Sequence, residues 1–338
     1  MQRFLVIQTA FTGDVVLATA LLEKLHTFFP DAEIDILIRK GNEGLFDEHP
    51  FLHEILIWNK KENKKKTLCE LLKKIRHNKY HKVINLQRFA ATGFLTAFSG
   101  AKEKIGFKKN PFSFLFSKTF PHNMLSGLHE VERNNKLIED FTDNTFTKPK
   151  LYPSKKNEDE IKQYTQQPYV CMMPASVWFT KQYSFEKWVE LINSFPTIYK
   201  IYLSGGKDDI DFCTKIKDST LNKNVEVLAG KLNFLSSAAL MKSAVMNYTN
   251  DSAPLHFASA TDAPVTAIFC STVPTFGFYP LSTNSFIVET NENLPCKPCG
   301  LHGWKACPLG HFKCALTIDN QQLLNTLPIN EHIFEGHQ

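Results

Sequence analysis

Val245-Met-Asn-Tyr-Thr-Asn-Asp-Ser-Ala-Pro-Leu-His256 decides how this 338-residue chain reads. Its apolar start is a strand, and the small polar residues that follow open a helix. Asp251 or Ser252 caps that helix, Pro254 suits its first turn, and Leu255-His-Phe-Ala-Ser-Ala260 carries it on. A strand feeding a helix N-terminus presents free backbone N–H groups and the positive end of a helix dipole at the carboxyl edge of a sheet. That is where a diphosphate binds. An ordinary strand–helix junction would look the same, so this segment alone leaves both readings standing.

The alternation extends outward in both directions. Phe4-Leu-Val-Ile7 is a buried strand, Asp14 to Phe28 a helix, Ile34–Ile38 and Glu54–Trp58 strands, Leu68 to His77 a basic amphipathic helix, and Lys82–Leu86 a fourth strand. The pattern blurs between Ser99 and Pro149, and a polar stretch, Ser154-Lys-Lys-Asn-Glu-Asp-Glu160, follows. It restarts at Tyr169-Val-Cys-Met-Met173 and continues through strands at Lys200–Leu203, Val225–Leu228, Val245–Tyr248 and Val265–Phe269. Strand and helix in alternation predict an α/β fold of parallel sheets with helices on both faces. Two doubly wound domains joined near residues 150–168 account for it, spanning 1–155 and 156–338. Ligands of such sheets sit at the carboxyl ends of the strands, here in a cleft between domains.

Composition narrows the class. Apolar content of 43% and charged content of 22% are those of a soluble globular protein. Most of the 28 Phe are expected in the core. No apolar run approaches the ~20 residues of a membrane span. Phe4-Leu-Val-Ile7 is too short for a signal-peptide core, and a cytoplasmic setting is the default. The net charge of +5 is uneven, +7 through Lys150 and −2 beyond. Lysines from Lys60 to Lys82 supply much of the excess. They read first as a solvated helix face, and second as attraction toward an anionic partner such as a phosphorylated glycolipid or a membrane surface. Nucleic acid is disfavoured, because no binding motif accompanies the charge.

Three strand-end turns carry residues suited to chemistry. Gln8-Thr-Ala-Phe-Thr-Gly-Asp14 has one glycine where the dinucleotide fingerprint needs three. Gly13 permits close backbone approach. Asp14 is either a first-turn carboxylate favoured by the dipole or a general base at a cleft, and spacing does not choose. Met173-Pro-Ala-Ser-Val-Trp-Phe-Thr-Lys181 offers Ser176, Thr180 and Lys181 to phosphate oxygens, against a surface loop with a helix cap at Ser184. Ser204-Gly-Gly-Lys-Asp-Asp209 is a loop or an approach to a ribose.

Four blocks together resemble the bacterial heptosyltransferases, glycosyltransferase family 9. They are the first strand with the Gly13-Asp14 turn after it, the Ser-Val-Trp-x-Thr-Lys loop at 176–181, the Thr249-Asn-Asp-Ser-x-Pro-x-His256 run and a late cysteine cluster. The resemblance covers nearly the whole length, in the family's order. It implies the GT-B fold, two Rossmann-like domains facing across a cleft, with the extreme C-terminus packing back on the first. The N-terminal domain would take a lipid-linked, anionic glycan acceptor and the C-terminal one a nucleotide sugar, ADP-heptose. Asp14 would be the base of an inverting transfer, with Thr12 and Gly13 beside it on the substrate. Thr180 and catalytic Lys181 would hold the diphosphate with Ser176, and Asp251, Ser252, Ala253 and His256 would line the donor pocket. Ala253 stands where the family commonly has glycine, and Phe179 where a small residue is usual. Work at the inner face of the inner membrane, with peripheral association, would follow. A related transferase using another nucleotide sugar, or a nucleotide-sugar-binding protein without catalysis, remains open.

Of eight cysteines, Cys69, Cys171, Cys213 and Cys270 lie in apolar segments and are expected to be buried. Cys296, Cys299, Cys307 and Cys314 have spacing that suits tetrahedral zinc, and a cytoplasmic setting argues against disulfides. The resemblance implies no metal in catalysis, so a zinc here would be structural.

Overall fold

The computed structural model describes residues 2–60 and 62–328. The expectation for the extreme C-terminus falls on residues 329–338 and lies outside them. The chain divides into two compact units, the first running to Ser154 and including Thr275–Phe278, the second holding Lys155–Pro274 and continuing from Tyr279.

In the first unit the strands are β1 (Arg3–Ile7), β2 (Glu33–Arg39), β3 (Leu52–Trp58), β4 (Lys82–Asn85), β5 (Glu103–Phe107) and β6 (Lys118–Phe120). They form one parallel sheet in the order β3-β2-β1-β4-β5-β6. Its helices are α1 (Thr12–Phe28), α2 (Lys64–Asn78), α3 (Ala90–Ala97) and α4 (Glu130–Asn135). Phe4 to Ile7 are fully buried, as a strand covered on both faces requires. The blurred stretch thus contains two short strands and a helix, and α3 lies just before it.

The second unit repeats the plan. Its strands are β7 (Tyr169–Met173), β8 (Lys200–Leu203), β9 (Val225–Val227), β10 (Met246–Asn250), β11 (Val265–Ile268) and β12 (Ser285–Val288). They are all parallel, in the order β12-β11-β10-β7-β8-β9. Helices α5 (Lys155–Ile161), α6 (Phe185–Asn193), α7 (Ile210–Ser219), α8 (Phe234–Ser243), α9 (Ala253–Thr261), α10 (Lys313–Leu316) and α11 (Asn320–Leu324) surround it. The polar stretch read as a joint is α5, which packs on α8 through Asn157, whose Nδ2 donates to Ser236 Oγ at 2.9 Å. Among the described residues no helix is long and apolar enough to cross a membrane.

Strand order reverses between β1 and β4 in one unit and between β7 and β10 in the other. Helices leave opposite faces there, so a crevice opens at the carboxyl ends. The register makes those ends level, with Ile7 opposite Asn85 and Thr249 opposite Met173. Asn250 pins the second crevice. Its Oδ1 accepts the Tyr183 N–H at 2.8 Å and its Nδ2 donates to the Pro174 carbonyl at 2.8 Å.

The core differs from the sequence expectation in two places. Eight of the described Phe are buried, but eight are exposed. Cys69 is exposed as well, on the solvent side of α2. Asn250→Ala would leave a buried N–H and a buried carbonyl unpaired, so a loss of about 3 kcal/mol is expected. Urea denaturation checks this, and an unchanged midpoint would contradict it.

Candidate active site

In the second unit, the loop after β7 and the start of α9 meet at the crevice. Lys181 ends a short 3-10 turn at Phe179–Lys181, and its Nζ lies 2.7 Å from Asp251 Oδ2. The Thr272 hydroxyl donates to the same carboxylate oxygen at 2.6 Å. The ammonium retains donors beyond the one Asp251 takes, because lysine carries three. Ser252 takes the N-cap position of α9, but its side chain makes no capping bond, and Pro254 lies in the first turn. Ala253 is therefore the first helical residue, with ordinary helical backbone, so a Cβ there is tolerated where the family has glycine. His256 lies one turn on, 5% exposed. Ser176 is half-buried, and its carbonyl accepts Gln182 Nε2 at 2.6 Å.

Thr180 points the other way. Its hydroxyl oxygen accepts the Trp304 N–H at 2.8 Å and the Ser271 hydroxyl at 3.0 Å, and its own N–H donates to the Trp304 carbonyl at 3.1 Å. At 1% exposure it braces the 300–304 turn. Lys181 is the residue of the pair whose head reaches the surface. Phe179 packs its ring on Phe312, centroids 4.8 Å apart, which explains a large residue at that position.

In the first unit, Asp14 occupies the first turn of α1 and is half-buried. Gly13 is buried within the same turn, with no positive φ. Around them the strand-end residues are tied down. Thr12 Oγ1 donates to Asn42 Oδ1 at 2.9 Å, and Lys60 Nζ donates to the Thr9 carbonyl at 2.6 Å. Gln87 Nε2 donates to Gln8 Oε1, joining the ends of β4 and β1. Burial lowers the Arg39 guanidinium pKa, and the neighbouring Asp14 carboxylate opposes that shift. The positive end of α1 and the Arg39 guanidinium both favour the ionised form of the Asp14 carboxylate.

Cys296, Cys299, Cys307, Cys314 and His311 line a cavity of about 200 Å³ that also touches Thr180 and Ser271. Cys296 Sγ lies 3.8 Å from His311 Nε2. Burial opposes ionisation of Cys307, but N–H groups of Phe312, Leu309, Gly310 and His311 together hold its pKa below the ordinary thiol value. Burial pushes Cys314 up to about 11. The donor set is that of a zinc site, yet among the described residues no three such side chains converge on one point.

Comparison with known proteins identifies the setting. The profile of glycosyltransferase family 9 (heptosyltransferase) matches residues 68–304. The chain belongs to glycosyltransferase family 9. It is 28% identical over 280 residues to lipopolysaccharide heptosyltransferase 3 of Escherichia coli K12, covering 78% of this chain and 80% of that one. The family 9 glycosyl transferase structure from Veillonella parvula superposes with a TM-score of 0.84 at 20% identity, covering 96% of each chain. The E. coli ADP-heptose lipopolysaccharide heptosyltransferase II structure gives 0.79 at 19%, covering 97% of each. This family 9 member is a glycosyltransferase of GT-B fold, built from two Rossmann-like units.

The second unit thus gathers Lys181, Asp251, Ser252 and the start of α9, while Thr180 serves the turn behind them. Sequence reading missed Asn250, Ser271, Thr272 and Trp304. Ser271-Thr272 follow an apolar strand as the other functional loops do, and that was the available signal. Gln8 and Gln87 carried the same signal in the first unit. The thiol environments predict that iodoacetamide at neutral pH labels Cys307 before Cys314. Peptide mass spectrometry measures this, and Cys314 reacting first would contradict it.

Proposed function

We propose that this family 9 enzyme transfers heptose from ADP-heptose to the lipopolysaccharide core, on a lipid-linked acceptor, with inversion. The observation that carries the reading is the Lys181 ammonium held by Asp251 at the N-terminal end of α9, at the switch point of its sheet. The acceptor hydroxyl oxygen attacks the anomeric carbon as the bond to the diphosphate breaks. Asp14 takes the hydroxyl proton, and ADP leaves carrying the negative charge. Lys181 and the α9 N-terminus offset that charge as it develops, so the step needs no metal. Asp251 positions Lys181, and Ser252, Ala253 and His256 line the donor pocket with Ser176. Thr12 and Gly13 shape the acceptor side. The first unit takes the acceptor and the second the nucleotide sugar. The enzyme works in the cytoplasm, peripherally at the inner face of the inner membrane.

Asp14→Asn is expected to lower kcat by about 10²–10⁴-fold with ADP affinity retained. Near-normal turnover in a transfer assay would remove Asp14 as base. Lys181→Met should weaken both kcat and donor binding, since charge stabilisation is lost in the bound donor and lost more in the transition state, where negative charge develops on the leaving diphosphate. In thermal melts, ADP at about 100 times its Kd should add about 2.7 kcal/mol, and UDP should add nothing at the same concentration. Stabilisation by UDP alone would redirect the assignment to another nucleotide sugar.

The cysteine cavity has a structural role in this reading. Cys296, Cys299, Cys307 and Cys314 would hold zinc as thiolates, drawn together around the cavity they now line. The N–H groups directed at Cys307 favour its thiolate form. Elemental analysis of protein purified without chelator should give one zinc per chain. Absence of stoichiometric metal would sink the site without touching the transfer reading.

A further inference from the structure

The first unit carries an exposed aromatic ledge that no step above uses. From Arg88 to Lys118 the chain has seven Phe and six basic residues against one acidic residue, Glu103. Glu103 is itself paired with Lys82. Four of the rings touch in sequence. Phe94 lies 5.0 Å from Phe98 and 6.2 Å from Phe112, Phe98 lies 6.3 Å from Phe112, and Phe112 stacks on Phe114 at 6.5 Å. The ledge faces water. Phe114 is 78% exposed, Phe98 44% and the adjoining Leu115 40%. Lys102, Lys108 and Lys109 are exposed beside it, and Lys104 reaches the Ala97 carbonyl next to Phe98.

Apolar rings left in water cost free energy, and a contiguous exposed patch marks a surface that something covers. Two features choose the occupant. Aromatic rings with an apolar body suit the interfacial zone of a bilayer, where they insert to the headgroup level. A rim of lysines with almost no acid among them complements a negatively charged surface, each contributing through the surface potential. Self-association would bring these lysines against one another, and the like charges oppose it.

We infer that this ledge, centred on Phe98, Phe112, Phe114 and Leu115 and rimmed by Lys102, Lys108 and Lys109, docks the enzyme on an anionic phospholipid bilayer. The rings enter the interface and the lysines meet the headgroups. The inference rests on the proposed lipid-linked acceptor for its purpose, since an enzyme held at the bilayer meets such an acceptor in two dimensions. The surface itself is argued from the rings and charges alone.

Co-sedimentation of the full chain with acceptor-free vesicles tests it. Binding to pure phosphatidylglycerol vesicles is expected, with little to pure phosphatidylcholine and release at high salt. Phe114→Ser with Leu115→Ser should weaken partitioning about tenfold or more. Lys108→Glu with Lys109→Glu should weaken it roughly fivefold for each lysine. Lys217→Glu with Lys223→Glu, on exposed lysines of the second unit, changes net charge equally and should leave partitioning within twofold. Equal binding of the ledge variants and the native chain would overturn the inference, as would no binding to phosphatidylglycerol. A concentration-dependent dimer abolished by the Phe114 and Leu115 changes, without vesicle binding, would assign the ledge to a second copy and overturn it too. Transfer to a delipidated, soluble acceptor separates the two readings. If transfer fails while vesicle binding holds, the function falls alone; if transfer holds and binding fails, the ledge does.

Discussion

Lys181 and Asp251 meet at 2.7 Å where β7 and β10 part, both mostly shielded from water. Lysine carries a flexible four-carbon stem, and fixing it costs about 2 kcal/mol of rotamer entropy. The carboxylate offsets that cost in advance, because Thr272 and the end of β10 already hold Asp251 in place. Asn250, one residue earlier, ties the β10 end to the β7 loop from which Lys181 projects. The position of the ammonium is thus set by the protein before any ligand arrives. Electrostatic stabilisation is strong when the charge need not reorganise as the reaction proceeds. Removing one member of such a pair leaves the other charge poorly solvated, which is why each depends on the other.

How much of this could be read from the sequence differs between the halves. The second half, with strands such as Tyr169–Met173 fully buried, shows its alternation clearly. The first half loses it after β4. There β5 and β6 approach the sheet edge and carry Glu103, Lys104 and Lys118, so charge interrupts the apolar run. Helix α3 holds a glycine in its interior, which lowers its helical propensity. Gly93 is there for packing, since a Cβ would collide with the Asn110 side chain, which itself donates to the Gln87 and Phe89 carbonyls. Helix α5 is polar along most of its length, so its apolar pattern is faint, and it packs on α8 just past the boundary between the units. Local propensity says little where tertiary contact decides.

The candidate site was legible as residue types and not as directions. Lys181, Asp251 and the opening of α9 stand where the strand-end pattern put them. Thr180 belongs to the same loop, but a 3-10 turn rotates consecutive side chains by about a third of a circle. Its hydroxyl therefore faces inward while Lys181 faces out. Ser252 reads as a cap from its type, yet its Oγ turns back toward the Asn250 carbonyl at 3.4 Å. No spacing rule carries that information. The exposure of Cys69 is a case of the same limit, since an amphipathic helix places it by phase and the flanking leucines obscure the phase.

The cysteine segment and the lysine loop are mechanically one object. Gly303 has φ +76°, and a Cβ there would come within 2.9 Å of Thr180 Oγ1 and 3.0 Å of Lys181 Cγ. The turn therefore lies directly on the stem of Lys181, as close as a residue without a side chain allows. Its neighbour Trp304 donates its N–H to the Thr180 hydroxyl and accepts the Thr180 N–H at its carbonyl, and the Cys299 N–H donates to the Ser271 carbonyl at 2.7 Å. Ser271 in turn donates to Thr180, closing a ring of contacts around the residue before Lys181. Motion in the 296–310 segment must pass through that ring. Ordering the four sulfurs would steady the turn that packs on the lysine stem, while Asp251 holds the head. The lysine is therefore held at two places, its stem by the Gly303 turn and its ammonium by Asp251.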